Sequence, residues 1–277
     1  MDDESDKAEV EAFRAQMMRQ MLGGVANEPP QPNAVDGLLG VEDDASSAAP
    51  AVVQASSLAA GQVLVANPER FCSRNPFSRP VRDLSRFGLQ GPIDDDGLSP
   101  DMKAQMLPVL VLIEHNKGGS RALLMERRTG ALMGDVSMDE YGCVAICPLW
   151  LGGTAKQNSL YVVHNCDGFD GATEVCNGLY LGGWSEARPK VADSSLSDAR
   201  FKFFLGATEW GAGQLEDEMR AGAWLALDCA PEVVIKDRVM GWRPGRPKPV
   251  WTELMNALDD KEAKRIIAQV YPNKGEP

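Results

Sequence analysis

The sequence predicts an α+β fold: a mixed β-sheet of several short strands with flanking helices, forming a single domain behind an N-terminal arm. Two observations carry this. Short apolar runs recur through the middle of the chain, each closed by Gly, Pro or Asn, as strands are. Helical spacing of apolar residues is sustained chiefly near the two ends, and many strands with few helices argue for an α+β arrangement. No internal repeat occurs.

At 277 residues and 44% hydrophobic content the chain can bury one sizeable core and carry an appendage. The formal charge of −12 is unevenly spread, because residues 1–60 hold 11 acidic and 3 basic side chains and the remainder is close to neutral. An acidic arm on a nearly neutral domain offers little to a phosphate backbone, so nucleic acid is excluded as a partner. The longest apolar run, 106–113, is too short to span a bilayer and contains Pro108, so a soluble protein is expected. The first residues are acidic, with no basic leader and no Arg- and Ser-rich transit segment. A cytoplasmic protein, or a mature chain whose targeting peptide is absent, is therefore expected.

In chain order, Val10, Phe13, Met17 and Met21 predict a short amphipathic helix that ends near Gly23 and Gly24. Its apolar face would dock on the parent domain, a second subunit or a foreign partner. Residues 28–57 are rich in Pro, Ala, Ser and Asp and read as a flexible linker, which puts the arm at 1–60 and the domain at 61–277. A strand at 62–66 is stopped by Asn67 and Pro68. Residues 69–105, with four prolines, read as a long irregular insertion, in which Arg79, Arg82 and Arg86 would pair with Asp94, Asp95 and Asp96. Strands at 109–113 and 122–125 are joined by the turn-forming Glu114, His115, Asn116, Lys117, Gly118 and Gly119. Further strands are expected at 144–151, 160–163 and 179–181. The end of the chain is helical, with Trp251, Leu254, Met255 and Leu258 on one face and Ala263, Ile266, Ile267 and Val270 on the next.

Between these lies the unit around Trp210. Residues 201–206 form a buried strand, the glycines of Trp210, Gly211, Ala212 and Gly213 allow a tight turn or close backbone approach, and Leu215, Met219 and Ala223 recur at helical spacing. Gly222 caps that helix, and a strand restarts at 224–227. The run from Glu209 through Gln214, Leu215, Glu216, Asp217 and Glu218, followed by Gly222, Ala223 and Trp224, resembles the GWGxGQLExE-like signature of the AlgH/YqgE family. The likeness extends through the run 61–68 ending in Asn67 and Pro68, through Glu114, His115 and Asn116 with Gly118 and Gly119, and through Leu151, Gly152 and Gly153 to His164. It covers roughly residues 60 to 258. Two features depart from it: Glu126, Arg127 and Arg128 stand where members usually read Asn-Arg-Pro, and a long insertion follows Pro68. The resemblance implies an AlgH-like α+β domain from a family linked to transcriptional regulation and little characterised beyond that. The insertion and the acidic arm look like its plastid-bearing eukaryotic members, which implies a mature chain in the chloroplast stroma.

The residues supply no catalytic constellation, and no cofactor or metal is called for. Two histidines rule out a histidine-rich metal centre, and neither Cys143 with Cys147 nor Cys166 with Cys176 has the spacing of paired zinc knuckles. Without a secretory signal these thiols are expected free, and the two pairs are the candidates for any redox role. His164 and Cys166 would share one face of a strand, where the imidazole could lower the thiol pKa; a buried core cysteine is the plainer reading. No nucleophile elbow, P-loop or dinucleotide fingerprint occurs. The glycines at 211 and 213 suggest an anion nest, yet Glu216, Asp217 and Glu218 already occupy the first helical turn and would repel a phosphate. Gln214 and Glu216 read as recognition groups or as a cap on the turn. The best catalytic-looking pair is His115 with Glu114 at a strand end, against a structural histidine in the glycine loop. The function expected is therefore regulation or scaffolding through contacts with an unidentified protein. The alternative is a small-molecule-binding protein or hydrolase with a pocket near His115, Glu114 and Trp210. Partner contacts are expected at the Pro-stiffened basic loop of Trp242, Arg243, Arg246 and Lys248.

Overall fold

A computed structural model describes residues 52–72, 81–93, 97–176, 178–236, 248–258 and 260–272. The chain divides into residues 1–48 and 49–277, and all described residues belong to the second part. The expected helix at Val10 to Met21 and the basic loop residues Trp242, Arg243 and Arg246 lie outside them, as do Arg79 and Asp94 to Asp96.

The domain is an eleven-stranded mixed sheet. Its first portion runs in the order β1 (Val53–Gln54), β11 (Trp224–Asp228), β2 (Val63–Ala66), β3 (Val109–Asn116), β4 (Gly119–Leu124) and β10 (Phe201–Gly211), every neighbouring pair antiparallel. From β10 it continues to β7 (Ala155–His164), β9 (Leu179–Gly182) and β8 (Ala172–Cys176). A side branch of β6 (Pro148–Leu151) and β5 (Arg128–Leu132) joins through a parallel pairing of β6 with β10. The mixed α+β expectation therefore holds. β2 and the first five residues of β3 are buried at every position, which explains their unbroken apolar sequence: a central strand covered on both faces has no polar side to alternate with.

Helices α1 (Pro68–Phe71), α2 (Pro100–Met106), α8 (Val250–Ala257) and α9 (Lys261–Val270) pack together, and the indole of Trp251 donates to the Ala66 carbonyl at 2.8 Å, tying α8 to β2. The apolar face read for these last two helices is the buried one, apart from Ile267, which is half-buried. On the sheet around β10, α3 (Met133–Val136), α4 (Met138–Tyr141) and α5 (Trp184–Ala192) surround Tyr141, Trp184 and Phe203. The remaining helices are α6 (Gln214–Arg220) and α7 (Pro231–Ile235).

Several expectations are corrected. Within the stretch read as a linker, Val53 and Gln54 form β1 and pair with β11, and Gln62 donates to the Ser57 carbonyl. The stretch 69–105 is not irregular throughout. It contains α1 and α2, each started by a capping side chain (Asn67, Ser99), and it buries Phe71, Leu84, Phe87 and Ile93. Arg86 pairs with Glu218 and Asp83, while Asp94 to Asp96, its expected partners, lie outside the described residues. The strand expected at 144–151 begins only at Pro148, because 142–144 is a 3₁₀ turn. The strand at Phe201 runs on to Gly211, so Trp210 lies on the strand and not in the turn. β5 and β8 went unread because their faces are largely solvent-exposed and carry no apolar run.

Candidate functional site

The residues that mark the family resemblance converge on Glu218. It lies in α6 with its side chain 13% exposed, and Oε1 takes a 2.6 Å bond from Arg86 Nη2 while Oε2 accepts from the indoles of Trp210 (2.9 Å) and Trp224 (2.8 Å). Phe71 and Phe87 complete an edge-on aromatic cluster with the two tryptophans. A buried carboxylate without partners would cost several kcal/mol, on the order of the penalty for an unpaired buried charge; here every oxygen is used. Asn67 joins the same unit, since its amide donates to the Gly222 carbonyl (2.9 Å) while its Oδ1 caps α1 at Glu69 N and Pro68 takes the first helical position. Gln214 Oε1 accepts from Gly211 N at 3.0 Å, a clasp across the turn. All these groups are spent on one another.

The β3–β4 hairpin packs beside it. His115 Nδ1 is 2.8 Å from Ser120 Oγ, and its Nε2 is 3.9 Å from Glu216 Oε1. Glu114 instead meets Arg121, which bridges it to Glu209 with contacts of 2.9 Å to each. Glu114 and His115 thus address different partners, as adjacent strand residues must. Asn116 closes the turn by accepting from Gly118 N and donating to Glu114.

The motif glycines divide by cause. A Cβ on Gly152 would lie 2.2 Å from the Gly206 carbonyl oxygen, and one on Gly153 2.2 Å from Ala207 backbone, so these two sit where β10 passes against the end of β6. Of the two readings of the glycine turn, Gly213 answers to the tight turn: a Cβ there meets nothing within 4 Å, and φ is +75°, the left-handed region that favours glycine. Gly211 has neither constraint.

Cys143, Cys166 and Cys176 are free thiols, and Cys147 Sγ lies 3.7 Å from Asp198. β7 ends at His164, so Cys166 does not share its strand face. Its backbone N–H donates to His164 Nδ1 (3.3 Å), and His164 Nε2 donates to the Gly182 carbonyl (3.1 Å). Burial pushes the Cys166 thiol up and the His164 imidazole down, opposite to an activated pair.

Comparison with known proteins rests on the same residues. The sequence model of the AlgH-like family, DUF179, matches residues 101–262, which hold the hairpin, the 152–153 glycines and Glu218 with Trp210 and Trp224. This chain belongs to the AlgH-like family. A UPF0301 protein of Chlorobaculum tepidum is 33% identical over 147 residues, 50% of this chain and 73% of the relative. One of Bacteroides thetaiotaomicron is 27% identical over 154 residues, 55% and 74% of the two chains. Among solved structures, a protein of Corynebacterium diphtheriae aligns with a TM-score of 0.51 at 19% identity over 77% of this chain and 94% of its own, which shows a shared fold.

Two clefts occur among the described residues, and neither is lined by His115, Glu114 or Trp210. The larger, about 830 Å³, opens between α4 and α5 beside Tyr141, Tyr161, Trp184 and Arg188; the Trp184 indole N–H is buried and has no acceptor. The smaller, about 430 Å³, contains Arg127, Arg128, Lys202 and Lys236. Sequence reasoning missed these cations, though a lone lysine inside the apolar run at 201–206 was a legible signal, since a fully buried lysine is rare. No helix among the described residues is long and apolar enough to cross a membrane, and no group of metal-ligating side chains occurs among them. Of the four residues named for the expected partner loop, Lys248 is described; its ammonium sits 5.3 Å from the Tyr271 ring centre.

Proposed function

We propose that this AlgH-like chain is a non-catalytic regulatory or scaffolding protein that works through protein contacts. The observation that carries the reading is a run of exposed apolar side chains. Leu132, Val136, Met138 and Ile146, the last 81% exposed, all fall within 132–146, where the α3, α4 and 3₁₀ segments fold on one another through the Gly134 N–H to Ala145 carbonyl bond. Exposed apolar side chains grouped in this way mark interaction surfaces. The alternative, a hydrolase or small-molecule-binding protein centred on His115, Glu114 and Trp210, is supported less well, because those side chains are engaged with Ser120, Arg121 and Glu218. The basic loop of Trp242, Arg243, Arg246 and Lys248 is assigned the same contact role on its sequence. The insertion and the acidic arm are the grounds for placing the chain among plastid-bearing eukaryotic members and in the chloroplast stroma.

The test is a double change, Met138→Asp with Ile146→Asp, on the full chain. Companions recovered in a mild pull-down and the mass in solution by light scattering would be compared with the parent. Loss of a companion or of self-association at an unchanged unfolding temperature is expected. An identical set of companions and an identical mass would remove this surface from the account.

A further inference from the structure

The larger cleft, about 830 Å³, falls in the range that takes a drug-sized ligand, which is the size of a dipeptide or tripeptide. Into its lining α4 sends Asp139 and Tyr141, β7 sends Leu160 and Tyr161, and α5 sends Trp184 and Arg188. Leu160 and Tyr161 are half-buried, so part of their apolar surface is left open. Trp184 is 7% exposed, with Phe201 and Phe203 edge-on to it at 5.5 and 5.2 Å and Tyr141 stacked on it at 5.8 Å. Packing accounts for the ring but not for its N–H, which is buried without an acceptor. An unsatisfied buried donor is costly, and a structure that keeps one calls for a reason. Of the three rings packed on Trp184, Tyr141 is the one that lines the cleft, so an acceptor entering there reaches the N–H by parting Tyr141 from the indole.

Two charges of opposite sign in the same lining are also unmatched. Asp139 and the Arg188 guanidinium share the cleft, yet neither makes an ion pair or a side-chain hydrogen bond, with the other or elsewhere among the described residues. Glu140, by contrast, accepts from Tyr141 Oη at 3.0 Å. Trp184 and Arg188 stand four residues apart on α5, on one helix face, so an acceptor for the indole and an anion for the guanidinium approach from the same side. We infer that this cleft binds a short apolar peptide with both termini free. Its carboxylate lies at Arg188, its ammonium at Asp139 and its side chains against Leu160 and Tyr161, and a backbone carbonyl accepts from Trp184 Nε1. A phosphorylated ligand would set its charge against Asp139 and Glu140, and a simple carboxylate would leave Asp139 unmatched; a peptide supplies the anion, the cation and the neutral acceptor together. The assignment does not depend on the exposed apolar run at 132–146.

Isothermal titration of the full chain with the dipeptide leucyl-phenylalanine, its N-acetyl form and its C-terminal amide tests this. The free dipeptide is expected to bind, and each blocked form to bind about fivefold more weakly, the worth of one exposed ion pair. Arg188→Gln should bind the free dipeptide and its amide alike, and Asp139→Asn should bind the free dipeptide and its N-acetyl form alike. Lys261→Gln, outside the cleft, should keep the parent's preferences. In a nitrogen–proton correlation spectrum, the indole cross-peak that is missing from Trp184→Phe should move as the free dipeptide is added. Asp139 and Arg188 are exposed, so their variants decide the matter even if Trp184→Phe does not fold. Absence of binding at millimolar dipeptide, equal affinity of the parent for all three forms, or preferences that survive in both charge variants would overturn the proposal. A Trp184 cross-peak that stays in place would overturn the carbonyl contact.

Discussion

The two halves of β10 both border buried charge and treat it in opposite ways. Near Trp210 the Glu218 carboxylate is matched bond for bond by two indoles and Arg86, with Asn67 and the Gly222 turn drawn into the same unit. Near Lys202 the ammonium is held instead by two backbone carbonyls, those of Met125 and Val234, and by the face of Trp150. A closed polar network of side chains specifies a fold. The run from Glu209 to Glu218 and Trp224, which carries the most recognisable family signature, falls on the closed side. A family signature can therefore record how a chain is held together rather than what it binds.

The contrast can be broken most directly at Glu218. Replacing it with Ala leaves two buried indole N–H groups and the Arg86 cation without their acceptor, and is expected to cost about 3–5 kcal/mol of stability. Chemical denaturation of the variant measures this. A loss below about 1 kcal/mol would mean that the knot is not the anchor described.

The glycines sharpen it next. Gly153→Ala puts a Cβ into Ala207 backbone, which no rotamer can relieve, and roughly 2–3 kcal/mol is expected. Gly213→Ala meets open space and is charged only for its left-handed φ, about 1–2 kcal/mol. Thermal unfolding of the two variants should rank them in that order, and the reverse order would contradict the geometry at the strand crossing.

The smallest effect belongs to His164. Its folded pKa is lowered by burial, so the unfolded chain takes up a proton first as pH falls through the ordinary histidine range near about 6.5. This contribution is absent above that range. Stability therefore declines on acidification until the folded imidazole also protonates. His164→Gln should flatten that part of the stability profile between neutral and mildly acidic pH, and an unchanged slope would assign the dependence to other groups.

Much of the sheet was legible because its central strands are apolar on both faces, and the C-terminal helices because each buries one stripe of side chains. The exposed strands β5 and β8 were not, since a strand that buries little leaves little pattern in the sequence. The candidate site was legible as a motif but not as a mechanism. Glu216, Asp217 and Glu218 read alike as an acidic helical start, yet Glu218 is turned inward to two tryptophans while Asp217 pairs with Arg220 at the surface.

By itself the sequence determined the fold class, the family, the buried faces of the last helices and the acidity of the arm, because these follow from local periodicity, composition and motif order. Only the tertiary structure decided which glycine needs space and which needs a left-handed φ. It alone brought Arg86 across to Glu218, 132 residues away in sequence, and Arg127 and Lys202 into one cleft. Such pairings depend on where β10 crosses the sheet, and long-range proximity leaves no trace in local spacing.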